Sequence, residues 1–247
     1  MTPSISGMIF AAGVGSRLKP WTDSHPKALV EVAGRPVISL VIDKFLAAGI
    51  SHIVINVHHF ASQIVDYVSH AYAGCDISFS DESGLLLDTG GGLRKALPLL
   101  GDVPVLIHNA DILTDFPLES LIEAHLSAGA DATLTVSRRT TSRYFVFDGL
   151  RLVGWTDIRN GRVRPDGLVL SDALSLRSFD GVHIVSSSLF AGLRDFRPDG
   201  VPFSIVDYYL NCCSTADICG FERSDSSRWF DVGKPETLEA ARRGFSL

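Results

Sequence analysis

The sequence predicts an α/β fold of three layers, in which helices cover both faces of a mostly parallel, mixed central sheet. Short runs rich in β-branched residues alternate with helical patterns through the first half of the chain. A chain of 247 residues, 46% of them hydrophobic, can bury one large core. No repeat, low-complexity tract or Pro/Ser-rich linker divides it, so residues 1–247 are expected to form a single domain.

The predicted strands and helices follow one another in a regular order. Strands are expected at Met8–Ala12, Ile53–Val57 and Val103–His108, and the helices between and after them at Val37–Ala48, Ser62–Tyr72 and Leu118–Ala128. Ligands of such sheets bind at the carboxyl ends of the strands. The loop after the first strand and the "HNAD" segment after the third are therefore the places to look for a site.

The pattern changes between Ala132 and Val185. The pieces "ATLTVS", "RYFVFD", "LRLVGW" and "VHIVS" are rich in strand-forming residues and carry few helix signals. They predict antiparallel additions to the sheet and a small antiparallel lid over it. Helical patterns resume at Ser204–Asn211 and Pro235–Arg243.

Composition excludes several classes of function. With 22 basic and 28 acidic residues the net charge is -6, which favours neither nucleic acid nor an anionic membrane as a partner. The N-terminus lacks the features of a signal peptide and no apolar run approaches membrane length, so a cytoplasmic location is expected. The four cysteines form no CxxC pair, and a shared metal at His58 and His59 is not expected because neighbours on a strand face opposite ways.

The segment from Gly13 to Lys27 places two glycines, an arginine and a lysine directly after the first predicted strand. A dinucleotide fingerprint needs a third glycine where Leu18 stands, and the GK[ST] of a P-loop occurs nowhere in the chain. What remains is a looser glycine turn whose backbone N–H groups face an anion, with Arg17 as a fork of donors and Lys27 as a point charge. A glycine-rich turn with a surface arginine and lysine stays open as the alternative.

A longer pattern decides between these alternatives. The stretch "GVGSRLKPWTDSHPKAL" resembles the signature G-x-G-[ST]-R-[LM]-x-P-x-T-x-x-x-P-K-x-L of sugar-1-phosphate nucleotidyltransferases. The likeness continues in family order through "GRPVI", "LDTGGGLRKALPLLGD", "HNAD" and "WFDVGKPETLEAA". It implies a Rossmann-like (GT-A-like) nucleotidyltransferase fold. The third of these segments is most similar to short N-acetylmuramate 1-phosphate uridylyltransferases, and a C-terminal left-handed β-helix is not expected after Arg243.

The resemblance implies that a sugar-1-phosphate oxygen attacks the α-phosphorus of a nucleoside triphosphate and that pyrophosphate leaves. The main chain of Gly13, Gly15 and Ser16 would hold the β- and γ-phosphates together with Arg17. Lys27 would lie between the α-phosphate and the sugar phosphate, where a compact ammonium contacts oxygens of both reactants. Because the attacking phosphate is already ionised near pH 7, no general base is required.

Asp111 and Asp231 match the two magnesium-binding aspartates of the family. Two carboxylates at strand ends suit Mg²⁺, which prefers oxygen ligands and retains contacts to substrate phosphates. Either aspartate alone would more simply be a cap or turn residue. The family carries Gly where this chain has Ala110, which narrows the space near the sugar phosphate.

The remaining expectations concern the base and the sugar. The resemblance assigns base recognition to the main chain near Ala11 and Ala12, to Asn56, and to a loop from Asp88 to Gly92 whose glycines, Gly91 among them, admit a base edge closely before a helix from Leu93. For the sugar phosphate, it assigns Asn109 and Gly181 beside Lys27, and Phe145 and Trp155 suggest an aromatic wall. Asn109 as a tie between two loops, and the two aromatic residues as part of the core, stay open as alternatives.

The resemblance also implies the cofactor Mg²⁺ and the substrates, an NTP and a sugar 1-phosphate. UTP is favoured, with GTP and a mannose- or heptose-type sugar as the second choice. The protein is expected to be a monomer or a small homo-oligomer. Cytidylyl transfer to a non-sugar phosphate or phosphonate, and a catalytically silent nucleotide-sugar sensor, are the alternative functions. Such sensors usually lack the arginine, lysine and aspartate set that is present here.

Overall fold

The computed structural model describes residues 4–245. Its strands are β1 Ser6–Phe10, β2 Glu31–Val32, β3 Arg35–Pro36, β4 His52–Val57, β5 Asp76–Asp81, β6 Val105–Asn109, β7 Ile112–Thr114, β8 Ala132–Ser137, β9 Arg143–Asp148, β10 Arg151–Asp157, β11 Arg162–Arg164, β12 Leu174–Val185, β13 Ile218–Glu222 and β14 Trp229–Asp231. The α-helices are α1 Val37–Ala47, α2 Ala61–Ala71, α3 Asp88–Leu100, α4 Leu118–Ala128, α5 Phe190–Asp195, α6 Ile205–Cys212 and α7 Pro235–Gly244.

The sheet is mixed, and the α/β prediction is confirmed. Among residues 4–245 it has ten strands in the order β11-β10-β13-β8-β12-β6-β1-β4-β5, with β9 paired to β10 and β12, and the part from β13 to β5 is the central sheet. The central part is mostly parallel as predicted, but the whole sheet has six antiparallel strand pairs and four parallel ones. β1 pairs in parallel with β4 and β6, β4 with β5, and β8 with β13, whereas β12 runs antiparallel to both β6 and β8. The carboxyl ends of β1, β4 and β6 therefore meet at one edge of the sheet.

Helices pack against both faces of this sheet because side chains alternate along its buried strands. On β1, Met8 belongs to a core cluster with side chains of α3, α5 and α6. The next residue, Ile9, belongs to a separate cluster with side chains of α1, α2 and α4. A smaller cluster joins α7 to the segment after β1.

A second group of strands extends from the central sheet. β9, β10 and β11 form antiparallel pairs, and the first part of β12 pairs with β9 while its last part pairs with β6 and β8. The antiparallel additions predicted from Ala132 onward are present, but β8 is a central strand that runs parallel to β13. Because β12 is 12 residues long, it pairs with strands of both groups.

Several predicted boundaries differ from the structure by one or two residues, and two differences bear on the site. β1 ends at Phe10, two residues earlier than predicted, because the N–H groups of Ala11 and Ala12 donate to a side chain instead of a neighbouring strand. Helix α3 begins at Asp88, so the expected loop up to Gly92 is its first turn. Strand β5 was not predicted at all. Among residues 4–245, no helix has both the length and the apolar character required to cross a membrane.

Candidate active site

A cavity of about 380 Å³ opens at the carboxyl ends of β1, β4 and β6. Its lining combines the residues that follow β1, the lysine and alanine of the next loop, and the start of α3. Polar side chains at the ends of β4, β5 and β6 complete it. These residues are Phe10, Ala11, Ala12, Gly13, Lys27, Ala28, Asn56, Glu82, Leu86, Asp88, Thr89, Asn109, Ala110, Asp111 and Pro202.

The glycine loop is a shaped turn. Gly15 has φ 68°, a left-handed conformation, and is followed by a 3₁₀ turn at Ser16–Leu18. A Cβ at Gly15 would lie 2.9 Å from Lys27 Cβ, so only glycine lets the two parts of the loop approach. Thr22 Oγ1 donates to the Gly15 carbonyl over 2.9 Å. Gly13, in contrast, has open space around it and lines the cavity, where a ligand can reach its main chain.

Asn56 holds the loop in place from within the protein. Its Oδ1 accepts the N–H groups of Ala11 (2.7 Å) and Ala12 (3.3 Å), and its Nδ2 donates to Glu82 Oε1 over 2.7 Å. The other oxygen of Glu82 accepts the Leu87 N–H over 2.9 Å. These bonds tie the ends of β1, β4 and β5 to the start of α3. The N–H groups predicted to read a base are thus already bonded, and Asn56 also lies on the cavity wall.

Asp111 follows β6, and Asp231 ends β14. Strand β7, which follows Asp111, pairs antiparallel with β14, and Asp231 lies opposite Ile112. The Val232 N–H donates to the Asp111 carbonyl over 2.8 Å. The two aspartates, far apart in sequence, are thereby brought beside each other. Lys27 forms an ion pair with Asp111, and the side chains are only 12% and 27% exposed.

Gly233 shows how closely the charged groups converge. A Cβ at this buried glycine would lie 2.4 Å from Lys27 Nζ, 2.8 Å from Arg17 Nη2 and 2.8 Å from Asp231 Oδ1. The Gly233 N–H donates to that same Asp231 oxygen over 2.9 Å. Two cations and a carboxylate of the predicted set therefore surround one point. Gly233 was not itself predicted, although its "DVGKP" segment was part of the resemblance.

The glycines at the start of α3 let neighbouring segments pack closely against the helix. The N–H groups of Gly90 and Gly91 donate to the Phe203 carbonyl over 2.9 Å and 3.2 Å, which caps the helix. A Cβ at Gly92 would lie 2.8 Å from Glu82 Oε1. Gly91 does not line the cavity, and its N–H is not free to read a base edge in this conformation.

Asn109 and Gly181 lie together on neighbouring strands. Gly181 has φ 80°, and a Cβ there would lie 2.9 Å from Asn109 Nδ2. Asn109 lines the same cavity as Lys27 and Asp111, whereas Gly181 is outside its lining and leaves room for the Asn109 amide. Behind them His108 is buried, and this burial lowers its pKa to about 4, so the imidazole is neutral near pH 7.

The donor set can be tested against a magnesium ion. The described residues contain no group of three or more His, Cys, Asp or Glu arranged to hold a metal. Mg²⁺ needs fewer protein ligands than this, because it retains water and binds substrate phosphates through one or two carboxylates. Asp111 lines the cavity and Asp231 lies beside it through the pairing of β7 and β14, so two carboxylates are close together, and Asp111 already forms an ion pair with Lys27. The residues fit the ion.

Comparisons with known proteins agree with this geometry. The nucleotidyl transferase family matches residues 6–146. The chain is 33% identical over 242 residues to N-acetylmuramate alpha-1-phosphate uridylyltransferase of Caulobacter vibrioides, covering 95% of this chain and 94% of the relative. It is 29% identical to mannose-1-phosphate guanyltransferase of Gibberella zeae, covering 94% of this chain but only 62% of that protein. The structure superposes on a UDP-glucose pyrophosphorylase complexed with UDP-glucose with TM-score 0.77, at 18% identity and 97% coverage of both chains.

The fold is that of the α/β nucleotidyltransferases. The family match, which covers more than half of the chain, makes the assignment specific: the chain belongs to the nucleotidyl transferase family.

Proposed function

We propose that the protein transfers a nucleoside monophosphate from an NTP to a sugar 1-phosphate and releases pyrophosphate. The observation that carries this proposal is the convergence of Arg17, Lys27 and Asp231 around Gly233, at the edge of a cavity of about 380 Å³. Two polyanionic substrates repel each other, and such a cluster of cations offsets that repulsion. The relatives named above carry out reactions of this type.

The residues align the reactants and neutralise charge. An oxygen of the sugar phosphate attacks the α-phosphorus while the bond to the pyrophosphate oxygen breaks on the opposite side. Lys27 contacts oxygens of both reacting groups, and Arg17 with the main chain of Gly13, Gly15 and Ser16 binds the departing phosphates. The cavity lining within residues 4–245 includes no serine or cysteine beside a histidine, and the reaction needs no such pair, since the attacking phosphate is ionised near neutral pH.

Asp111 and Asp231 would hold Mg²⁺. When bound, this ion would neutralise triphosphate charge and fix the α-phosphate relative to the attacking oxygen. In this structure Asp111 also pairs with the Lys27 ammonium and holds it at the cavity.

For the nucleotide we propose UTP, with GTP as the second choice. The uridylyltransferase of Caulobacter vibrioides is the more similar of the two relatives and has nearly the same length. The base would enter beside Leu86, Asp88 and Thr89, at the end of the cavity away from Lys27. Asn109, supported by Gly181 behind it, would contact the sugar phosphate at the other end. The strands β9 to β11 would form the lid.

The test is a substrate panel. The protein and Mg²⁺ are incubated with each of the four NTPs and a series of sugar 1-phosphates, and pyrophosphate is measured. We expect release only when both substrates are present, and calorimetry should show UTP binding at least tenfold tighter than GTP. A Lys27→Ala variant is the control for contaminating activity. Absence of pyrophosphate with every pair would contradict the proposal, and tighter binding of GTP would assign the protein to guanylyl transfer.

The cellular location and the oligomeric state of the protein are further parts of the proposal. The enzyme would work in the cytoplasm, where NTPs are available, as a monomer or small homo-oligomer. Sedimentation of the purified protein measures its oligomeric state directly.

A further inference from the structure

A buried ion pair lies outside the candidate active site, between the central sheet and the strand that carries Asp231. Asp180 of β12 and Arg223, directly after β13, have side chains only 1% and 8% exposed, and Arg223 Nε donates to Asp180 Oδ2 over 3.0 Å. Taking two charges out of water costs free energy that their mutual attraction does not always recover. Neither residue lines the cavity, and the reaction proposed above uses neither of them. The pair therefore requires another explanation.

Arg223 joins this pair to the turn that precedes β14. Its own N–H donates to the Val136 carbonyl over 2.9 Å, which attaches the residue to the central strand β8. Its Nη1 donates to two main-chain carbonyls of the turn, that of Ser224 over 3.2 Å and that of Ser227. One guanidinium thus connects the carboxylate of Asp180 with the segment that leads into β14.

Asp180 also contacts β14 through its main chain. Trp229, the first residue of β14, donates its indole N–H to the Asp180 carbonyl over 2.9 Å. The second carboxylate oxygen of Asp180 accepts a hydrogen bond from Ser137 Oγ over 2.8 Å. The residue lies where the register of β12 with β8 shifts, and bulges of this kind re-aim side chains next to active sites. Asp180 therefore holds β14 directly and, through its ion pair, the turn before it.

The position of β14 depends on contacts of this kind. The strand is three residues long and, within residues 4–245, it pairs with β7 in a separate two-stranded sheet. On its outer side Arg228 pairs with Asp115, but these side chains are 37% and 35% exposed, and exposed ion pairs hold a geometry weakly. Because Mg²⁺ demands near-ideal octahedral geometry, a small shift of β14 would move the Asp231 carboxylate out of register with that of Asp111.

We propose that Asp180 and Arg223 are positioning residues for the metal: their buried pair fixes β14 so that Asp231 and Asp111 can bind one divalent cation together. This inference rests on the proposed function, which assigns the ion to these two aspartates. Groups that orient metal ligands from behind typically contribute roughly 10- to 100-fold to metal affinity. We expect the lower end of this range, because Asp180 and Arg223 act through the main chain of β14.

Two variants separate positioning from stability. Arg223→Lys retains the positive charge, but a single ammonium lacks the fork that spans the carboxylate and the turn carbonyls. The double variant Asp180→Val/Arg223→Met leaves no charge buried without a partner, and apolar replacement of a buried ion pair is often neutral for stability. Both variants lose the connection between β12 and the turn before β14.

Glu222→Gln is the matched control. Glu222 directly precedes Arg223 and also forms ion pairs, with Arg138 over 2.6 Å and with Arg177 over 3.2 Å, but its side chain is 37% exposed. None of its hydrogen bonds or ion pairs within residues 4–245 involves β14 or the turn before it. This variant therefore removes a charged contact next to Arg223 without loosening Asp231.

The probe is Mn²⁺ alone, which suits carboxylate ligands as Mg²⁺ does and gives an electron paramagnetic resonance signal when free. Titration without substrates measures its Kd. We expect a Kd about tenfold higher in Arg223→Lys and in the double variant, a Tm close to the wild-type value in the double variant, and a wild-type Kd in Glu222→Gln. Pyrophosphate release by the two pair variants should require more Mg²⁺ for half-maximal activity, with kcat recovering at high Mg²⁺.

A wild-type Kd for Mn²⁺ in both pair variants, whatever their Tm, overturns the inference and makes the pair a purely structural one. Mn²⁺ binding that is absent from the wild type, or unchanged in Asp231→Asn, overturns it as well. Absence of pyrophosphate with every substrate pair contradicts the proposed function instead. The Mn²⁺ titration uses no substrate, so it still decides the role of Asp180 and Arg223.

Discussion

One methyl group added at Gly233 should displace the charged side chains of the candidate active site. In Gly233→Ala the new methyl group would lie 2.4 Å from Lys27 Nζ and 2.8 Å from Arg17 Nη2. Because non-bonded atoms prefer separations of about 3.5 Å, the ammonium must move by roughly 1 Å. A displacement of this size can reduce the rate about 10²-fold, equivalent to ~2.7 kcal/mol of transition-state stabilisation.

Stability should change little in the same variant. The atoms that the methyl group meets are the ends of flexible side chains, and Gly233 does not have a positive φ. We therefore expect Tm to shift by no more than a few degrees while kcat/KM for both substrates falls. Pyrophosphate release measures the activity, and circular dichroism during heating measures Tm.

Gly84→Ala is the matched control, because nothing lies within 4 Å of a Cβ there and its φ is not positive. It should match the wild type in both assays. A Gly233→Ala enzyme with wild-type kcat/KM would refute the view that this glycine permits the convergence of charges. A large fall in Tm would show instead that the methyl group disrupts packing.

Three further predictions test the site and the core. Arg17→Ala and Lys27→Ala should each lower kcat/KM by roughly 10² or more, since one charge-assisted contact in such a site contributes ~3 kcal/mol; near wild-type rates in both would contradict their assignment. Asp231→Asn should require more Mg²⁺ for half-maximal activity, and an unchanged Mg²⁺ titration would make this aspartate structural. Burial lowers the pKa of His108 to about 4 and of His183 to about 3, so both are neutral when folded but protonate below about pH 6.5 when unfolded. The free energy of unfolding, measured in urea, should thus fall from pH 6 to pH 5 by about 1.4 kcal/mol per histidine, and a His183→Gln variant with an undiminished slope would argue against this cause.

Local sequence patterns predicted the helices and strands whose first and last residues are both marked within the segment itself. The bounds of α4, β8 and β9 agree with the prediction residue for residue, because hydrophobic periodicity and turn residues mark both ends. The start of α3 was wrong for the opposite reason. Three consecutive glycines are typical of a loop, yet the Phe203 carbonyl, distant in sequence, caps these N–H groups and makes them helical.

The charged residues of the candidate site could be predicted from the sequence, but the buried residues that hold its loops in place could not. The family signature singled out Arg17, Lys27, Asp111 and Asp231. Glu82 carried no signal, because an isolated acidic residue after a weak strand pattern is usually exposed, whereas here it is fully buried. Asn56 was predicted to contact the base, and its amide is in fact bonded to the main chain after β1 and to Glu82.

The sequence by itself determined the class of fold and the glycine loop, and it predicted the charged groups of a phosphate site. These depend on residue type and on spacing along a short stretch of chain. Only the tertiary structure decided that Arg17, Lys27 and Asp231 meet around Gly233, and that Asp180 and Arg223 form a buried ion pair. The physical reason is that strand pairing and register bring together residues that lie far apart in sequence, and no local periodicity records which strands become neighbours.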